Sequence, residues 1–202
     1  MRFCSQLLMR FIGAIKRSPL VCWFYDKRRL LIFVLKKADY TPTAPSDGVS
    51  FNGYGDVLNF DACEPWHDSK SIVRDFCSRL DRGEVMAAIN DEGVLASYGW
   101  LNPNQSSAYF PLVKQEFTFP AKSSAIYNVY THIGYRGKGY YKRVLNGIVE
   151  WCFKNTDSQH VVTAIEESNK VAIKANLQMG FREVACLSYV RKLGRVQSEN
   201  RE

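Results

Sequence analysis

The chain has 202 residues, 46% of them hydrophobic and 23% charged, and carries a formal net charge of +7. That length and apolar fraction fit one domain of ordinary size with a substantial core, and exclude a disordered or fibrous chain. The positive balance suits a polyphosphate cofactor, an anionic membrane surface or nucleic acid. Its basic residues gather towards the two ends, without a single stripe or a recognition-helix pattern, which argues against nucleic acid.

Arg2 to Arg17 has the pattern of a short basic amphipathic helix, with Phe3, Leu7, Leu8, Phe11, Ile12 and Ile15 on one face. Residues 1–18 therefore stand apart as an appendage that either packs on the domain or lies on a membrane surface, through residues 2–17. Asp26, Lys27, Arg28 and Arg29 interrupt the apolar run from Leu20 to Leu35, so no stretch reaches the ~18 residues that a membrane span needs. Val21–Tyr25 and Leu30–Leu35 read as two strands of a hairpin turning on those charges. Asp39–Pro65 is rich in Pro, Gly, Asp and Asn and reads mostly as loop. Ser69–Leu80 is a predicted helix with Ile72, Val73, Phe76 and Leu80 inward, ended by Gly83. Glu84–Asn90 and Val94–Leu101 are predicted strands joined by the turn Asp91-Glu92-Gly93. Asn102–Ser124 reads as a loop with a short strand around Glu116–Phe119.

The next stretch, Ala125–Phe153, carries most of the chemistry. Ile126–Thr131 is dense in Tyr, Val and Thr and reads as a strand. It turns through Gly134, Tyr135, Arg136, Gly137, Lys138 and Gly139. An amphipathic helix follows, with Tyr141, Val144, Leu145, Ile148, Val149 and Cys152 on one face. A strand, a glycine-rich turn and a helix N-terminus aim backbone N–H groups and the positive end of the helix dipole at an anion. Arg136 and Lys138 add mobile positive charge. The expectation is a phosphate-binding turn.

His160–Glu166 is a further predicted strand. Ser168 is placed as the N-cap of a helix through Ala172, Ile173, Ala175 and Met179, with Gly180 as its left-handed C-cap. Phe181–Val190 returns as a final strand or hairpin. Residues 19–194 thus form a single domain built on a mixed sheet with helices on its faces, and 195–202 form a polar tail expected to fray. The six cysteines contain no C-x-x-C pair and no secretory cleavage pattern precedes them, so a reducing cytoplasm is expected. Cys63 and His67 are two ligand types without a second pair, so no metal site is assigned.

Arg136-Gly137-Lys138-Gly139-Tyr140-Tyr141 resembles the phosphate turn Arg/Gln-x-x-Gly-x-Gly/Ala of the GCN5-related N-acetyltransferase (GNAT) superfamily. Asn169 opening a helix that closes on Gly180-Phe181 resembles that family's later motif. The resemblance runs from the Glu84 strand to the final strand. It implies an α/β (α+β) fold with a mixed, mostly antiparallel central sheet flanked by helices. It also implies acetyl-CoA, or another acyl-CoA, as donor and a small-molecule amine as acceptor, in a monomer or a homodimer.

By the same resemblance, the backbone N–H groups of Gly137, Lys138, Gly139, Tyr140 and Tyr141 would cradle the pyrophosphate, with Arg136 and Lys138 supplementing the field. Thr131, His132 and Ile133 would pair with the pantetheine arm, and Asn169 would place its amide against it. Two positions depart from the pattern. Tyr141 stands where the family has a small residue, and either closes over the phosphates or packs beneath the helix. Asn176 stands where many members carry a tyrosine proposed as general acid; an amide can contact the departing sulfur but cannot protonate it.

The base is a choice between His132, beside the expected thioester, and Glu116, in the segment before the central strand. The acceptor pocket is expected from Asp39–Pro65 and Asn102–Ser124, with Trp66, Trp100, Tyr109 and Phe117 as candidate aromatic walls. An amino sugar is one candidate acceptor. A non-catalytic acyl-CoA sensor using the same pocket is the alternative function.

Overall fold

The computed structural model describes residues 25–64, 67–193 and 195–201. The expected helix Arg2–Arg17, the start of the first hairpin strand and Trp66 lie outside the described residues. No helix among the described residues is long and apolar enough to cross a membrane.

Strand β1 spans Tyr25–Lys36 as one unbroken strand, which corrects the expected hairpin. The charges at Asp26–Arg29 are not a turn. They occupy the part of β1 that pairs on one side only, because the ladder to the neighbour at His160–Glu166 begins at Leu30. There the Asp26 carboxylate meets Arg28 at 2.9 Å and Arg191 at 3.8 Å. Charge at the open end and an apolar run at the paired end give one strand two compositions, and the composition change looked like a break.

β2 (Ser50–Phe51) and the single-turn helix α1 (Tyr54–Leu58) interrupt the loop region, and α2 covers Ser69–Asp81. Phe76 is the inward anchor of α2, edge-on to Tyr98 and Trp100. β3 (Val85–Asp91) and β4 (Val94–Asn102) form the expected hairpin. Its turn needs positive φ, which Glu92 (53°) and Gly93 (80°) supply. β5 (Ser107–Phe110) and β6 (Gln115–Thr118) pair as a separate ribbon, so the short strand expected near Glu116 has a partner that composition did not show. β7 (Ser123–Thr131), α3 (Tyr140–Asn155), β8 (His160–Glu166) and α4 (Lys170–Gln178) follow.

β9 (Arg182–Lys192) is joined by β10 (Arg195–Arg201) in an antiparallel ladder, so the tail expected to fray is an edge strand. The N-cap of α4 is Asn169 and not Ser168: its Oδ1 accepts from the Ala172 N–H at 3.1 Å.

One eight-stranded sheet, ordered β10-β9-β1-β8-β7-β4-β3-β2, organises the chain. Every neighbouring pair is antiparallel except β7 and β8. This is the mixed, mostly antiparallel sheet flanked by helices that was expected. One face packs α3 and α4 through Leu31, Phe33, Ile126, Val144, Ile148 and Phe181. The opposite face is covered by the β5–β6 ribbon over β1, β8 and β9 and by α2 over β3 and β4. Gln115 Nε2 ties the ribbon down by donating to Ser188 O at 2.6 Å.

Two irregularities position the site. The parallel ladder joins Ser123–Ile126 to His160–Thr163 and stops there, although β7 runs on to Thr131 and β8 to Glu166. Between β4 and β7, Gly99 alone faces both Asn128 and Val129, a bulge in which Asn128 takes φ 51°. The bulge re-phases the strand, so that Val129 returns to the α3 face beside Ile126.

Candidate functional site at the split between two strands

The end of β7 is locked from β4. Ser97, fully buried, donates its hydroxyl to Tyr130 O at 2.8 Å and lies 2.9 Å from Thr131 Oγ1. The His132 N–H donates to Ala96 O at 2.9 Å. Beyond Thr131 the chain leaves the sheet in a 3-10 turn, Ile133–Tyr135, whose N-cap is His132.

His132 Nδ1 accepts from the Gly134 N–H at 3.1 Å, and its ring stands edge-on to Tyr135. The bond assigns the neutral ring proton to Nε2, which lies 3.6 Å from Asp61 Oδ2. The lone pair of this imidazole is committed to shaping the turn.

Gly137 and Gly139 take φ of 85° and 79°, and a Cβ built on either would meet no atom within 4 Å. Left-handed backbone explains the glycines, and the empty space beside them leaves the turn open to a bulky anion. Gly139 caps α3 with no side-chain hydrogen bond, so the first N–H groups of the helix keep their capacity to donate outward. The cations beside them are held by carboxylates. Arg136 donates to Thr131 O at 3.3 Å and to Glu64 Oε1 at 3.2 Å, while Lys138 Nζ is 3.0 Å from Asp91 Oδ2. The Tyr140 hydroxyl donates to the same Asp91 oxygen at 2.7 Å. That hydroxyl first, and Lys138 second, hold the Asp91 carboxyl below the usual carboxylate range.

Tyr141 packs beneath the helix, which resolves its two expected placements. Its ring joins the core on the α3–α4 face, and its hydroxyl accepts from Asn176 Nδ2 at 3.2 Å. Asn176, 1% exposed, also donates to Ala172 O at 2.9 Å, so both of its amide protons are engaged. The Tyr141 hydroxyl retains its own proton to donate, and burial raises its pKa. Asn169 commits its carbonyl oxygen to the α4 cap.

Glu116 is not brought to the split. It sits on the solvent side of β6, accepting from Ser107 Oγ at 2.8 Å. Trp100, fully buried against Phe76, is core and not a pocket wall. Pattern reading missed Asp61, Glu64 and Ser97. Their only signal was type, a carboxylate or a hydroxyl in a loop or strand, and nothing in their spacing pointed to β7 or the turn. Asp91 was read only as part of a hairpin turn.

On the sheet face opposite α3, a cavity of about 400 Å³ opens under the ribbon. Ile126 and Thr163, the last rungs of the β7–β8 ladder, border it, as do Asn128 and Ala164 just beyond. The split therefore has the glycine turn and α3 on one side and this cavity on the other. Tyr109 lines the cavity, and Phe117 packs with the same cluster beneath the ribbon.

The family described as acetyltransferase (GNAT) matches residues 52–181. No curated protein matches the chain significantly. Among solved structures, an acetyltransferase of the GNAT family from Colwellia psychrerythraea is 15% identical, with a TM-score of 0.56 over 100% of this chain and 74% of its own. A GNAT-family acetyltransferase described from Novosphingobium aromaticivorans is 19% identical, with a TM-score of 0.55 over 82% of this chain and 63% of its own. A GCN5-related N-acetyltransferase from Sphaerobacter thermophilus is 12% identical, with a TM-score of 0.53 over 88% of this chain and 53% of its own. At these identities the likeness is one of fold, and the chain spans between about half and three quarters of those proteins' lengths.

Proposed function

The chain belongs to the acetyltransferase (GNAT) family, and from that premise we propose that it transfers an acetyl group from acetyl-CoA to a primary amine of a small molecule. The observation that carries this reading is the junction of an open, glycine-lined helix N-terminus with a split in the sheet. The first fits a pyrophosphate, and the second fits an extended arm that needs backbone partners. In the proposal the N–H groups of Gly137–Tyr141 hold the phosphates, with Arg136 and Lys138 leaving their carboxylates to join them. The backbone of Thr131–Ile133, its Thr131 carbonyl freed as Arg136 turns to the phosphates, and the amide nitrogen of Asn169 hold the pantetheine.

The amine nitrogen attacks the thioester carbonyl carbon, a C–N bond forms, and the C–S bond breaks as the tetrahedral adduct collapses. In this reading a backbone N–H group at the β7 bulge meets the oxyanion. The amine proton leaves to water. The departing thiolate takes a proton from the Tyr141 hydroxyl, which stays protonated because burial raises its pKa. Tyr141 thus takes the acid role that the residue at Asn176 cannot fill, and Asn176 orients it. His132 acts by fixing the turn and Glu116 has no role. The hydroxyl of Tyr141 favours turnover over a sensor that only binds acyl-CoA.

Thiol release from acetyl-CoA in the presence of amines tests the proposal. Amine-dependent release with formation of the N-acetyl product is expected. Cofactor binding with no release for any amine would assign the sensor function instead.

A further inference from the structure

The cavity under the ribbon differs in chemistry from the donor side of the split. Its floor is Leu30, Phe119, Ala125 and Val162, and its polar side chains are the amides of Asn102, Gln105 and Asn128, the Thr163 hydroxyl and the phenols of Tyr109 and Tyr127, all neutral. Gln105 is already engaged, donating to Ser107 O at 2.9 Å. Among the described residues that line it there is no carboxylate, lysine, arginine or histidine. The turn on the other face carries Arg136 and Lys138.

An alkylammonium entering such a cavity would meet no counter-charge to hold it and no base to take its proton. Moving a charge from water into an apolar site without a partner is costly. The two candidate bases do not supply the need, since the His132 lone pair holds Gly134 and Glu116 faces solvent. An amino sugar would leave most of its hydroxyls unpaired against the apolar floor. A polyamine would bury several charges. An amine that is neutral at pH 7 has neither difficulty: it arrives with its lone pair free and an apolar body for the floor.

Building on the transferase reading, we infer that the cavity is the acceptor site and that the acceptor is a weakly basic amine on an uncharged, apolar body, an arylamine in chemical class. Its nitrogen reaches the split beside Asn128 and Ala164 while its ring lies on Leu30, Phe119 and Val162. The nitrogen lone pair forms the new C–N bond, and the N–H proton then passes from the adduct to water. The thiolate is protonated by Tyr141.

The experiment compares substituted anilines, benzylamine, glucosamine and spermidine as acceptors with acetyl-CoA, alongside calorimetric titration of acetyl-CoA without acceptor. Anilines are expected to exceed glucosamine and spermidine in kcat/KM by about a hundredfold, the scale on which mismatched polar groups discriminate. Their rates should change little with pH near neutrality, whereas benzylamine should gain rate as pH rises.

Asn128→Asp puts a carboxylate at the split in a residue type that tolerates left-handed backbone. It should move the preference towards benzylamine by about tenfold, and an unchanged acetyl-CoA affinity would report the variant folded. Ala164→Trp should depress acceptor turnover at unchanged acetyl-CoA affinity. Faster turnover of glucosamine or spermidine would overturn the inference. So would no shift in a folded Asn128→Asp, or a donor preference for octanoyl-CoA that is lost in Ala164→Trp, which would make the cavity an acyl-chain site. Absence of acetyl-CoA binding would overturn the transferase reading itself, a result separable from all of these.

Discussion

Glu64 and Asp91 each hold one of the two cations flanking the glycine turn, Glu64 through Arg136 and Asp91 through Lys138. A carboxylate in that place competes with a phosphate for the same donor. Glu64→Gln should therefore tighten acetyl-CoA binding by about two- to fivefold, because exposed ion pairs are worth under about 1 kcal/mol. Calorimetry at low and high salt would check this, and the gain should shrink as salt screens the phosphates. Asp91 has its carboxyl held below the ordinary range, so its tie to Tyr140 and Lys138 is fully present at neutral pH. The tie is lost only as pH falls through that depressed value, and it cannot produce a pH effect near neutrality.

Tyr141 behaves oppositely. As a phenol with a raised pKa it keeps its proton until above its ordinary value of 10.0. The alkaline fall in kcat should therefore lie above that value. Tyr141→Phe should lower kcat about a hundredfold with little change in acetyl-CoA affinity, and should remove that limb. A loss of affinity with kcat intact would reassign Tyr141 to packing.

At the scale of elements, the split depends on β7 being interrupted on both sides. Gly99 is the residue that lets α3 lie against the bulge. A Cβ there would come 2.8 Å from Ile148 Cδ1 and 3.1 Å from Val129 Cγ2. Gly99→Ala should cost about 1–3 kcal/mol, the usual scale for overpacking, read as a lower urea midpoint at unchanged m-value. Much of this architecture was legible in the residues. The turn Arg136–Gly139, the α3 face, the Asp91–Gly93 hairpin and the Asn169–Phe181 motif are local signals that periodicity and glycine placement express directly.

What escaped was non-local. β1 looked like a hairpin because its charged end pairs with one strand and its apolar end with two. β5 is four residues long and was visible only beside β6. Asp61 and Glu64 reach His132 and Arg136 in the turn beyond β7 from a loop far away in sequence, which no spacing rule registers. Asn169 was recognised as a site residue, yet its capping of α4 was given to Ser168, a neighbour of equal capping propensity.

Across the whole molecule, β1 fills the gap that the β8–α4–β9 crossover leaves, and it hydrogen-bonds to both strands. Ile32, Phe33 and Leu35 on β1 are fully buried. Deleting the chain through Lys36 should therefore yield protein without a cooperative unfolding transition, even though the matched family region begins at residue 52. The +7 net charge acts at the same scale. In the proposed reading it would favour approach of a polyanionic donor, while Arg136, Lys138 and the α3 N-terminus would select its final position. The most direct test of the account is calorimetric titration of the wild-type protein and of Arg136→Ala with acetyl-CoA at two salt concentrations. Saturable one-to-one binding is expected, weakening with salt and by about five- to tenfold in Arg136→Ala, the scale of a lost charge-assisted hydrogen bond. No heat of binding at millimolar acetyl-CoA, or binding indifferent to both salt and Arg136, would contradict it.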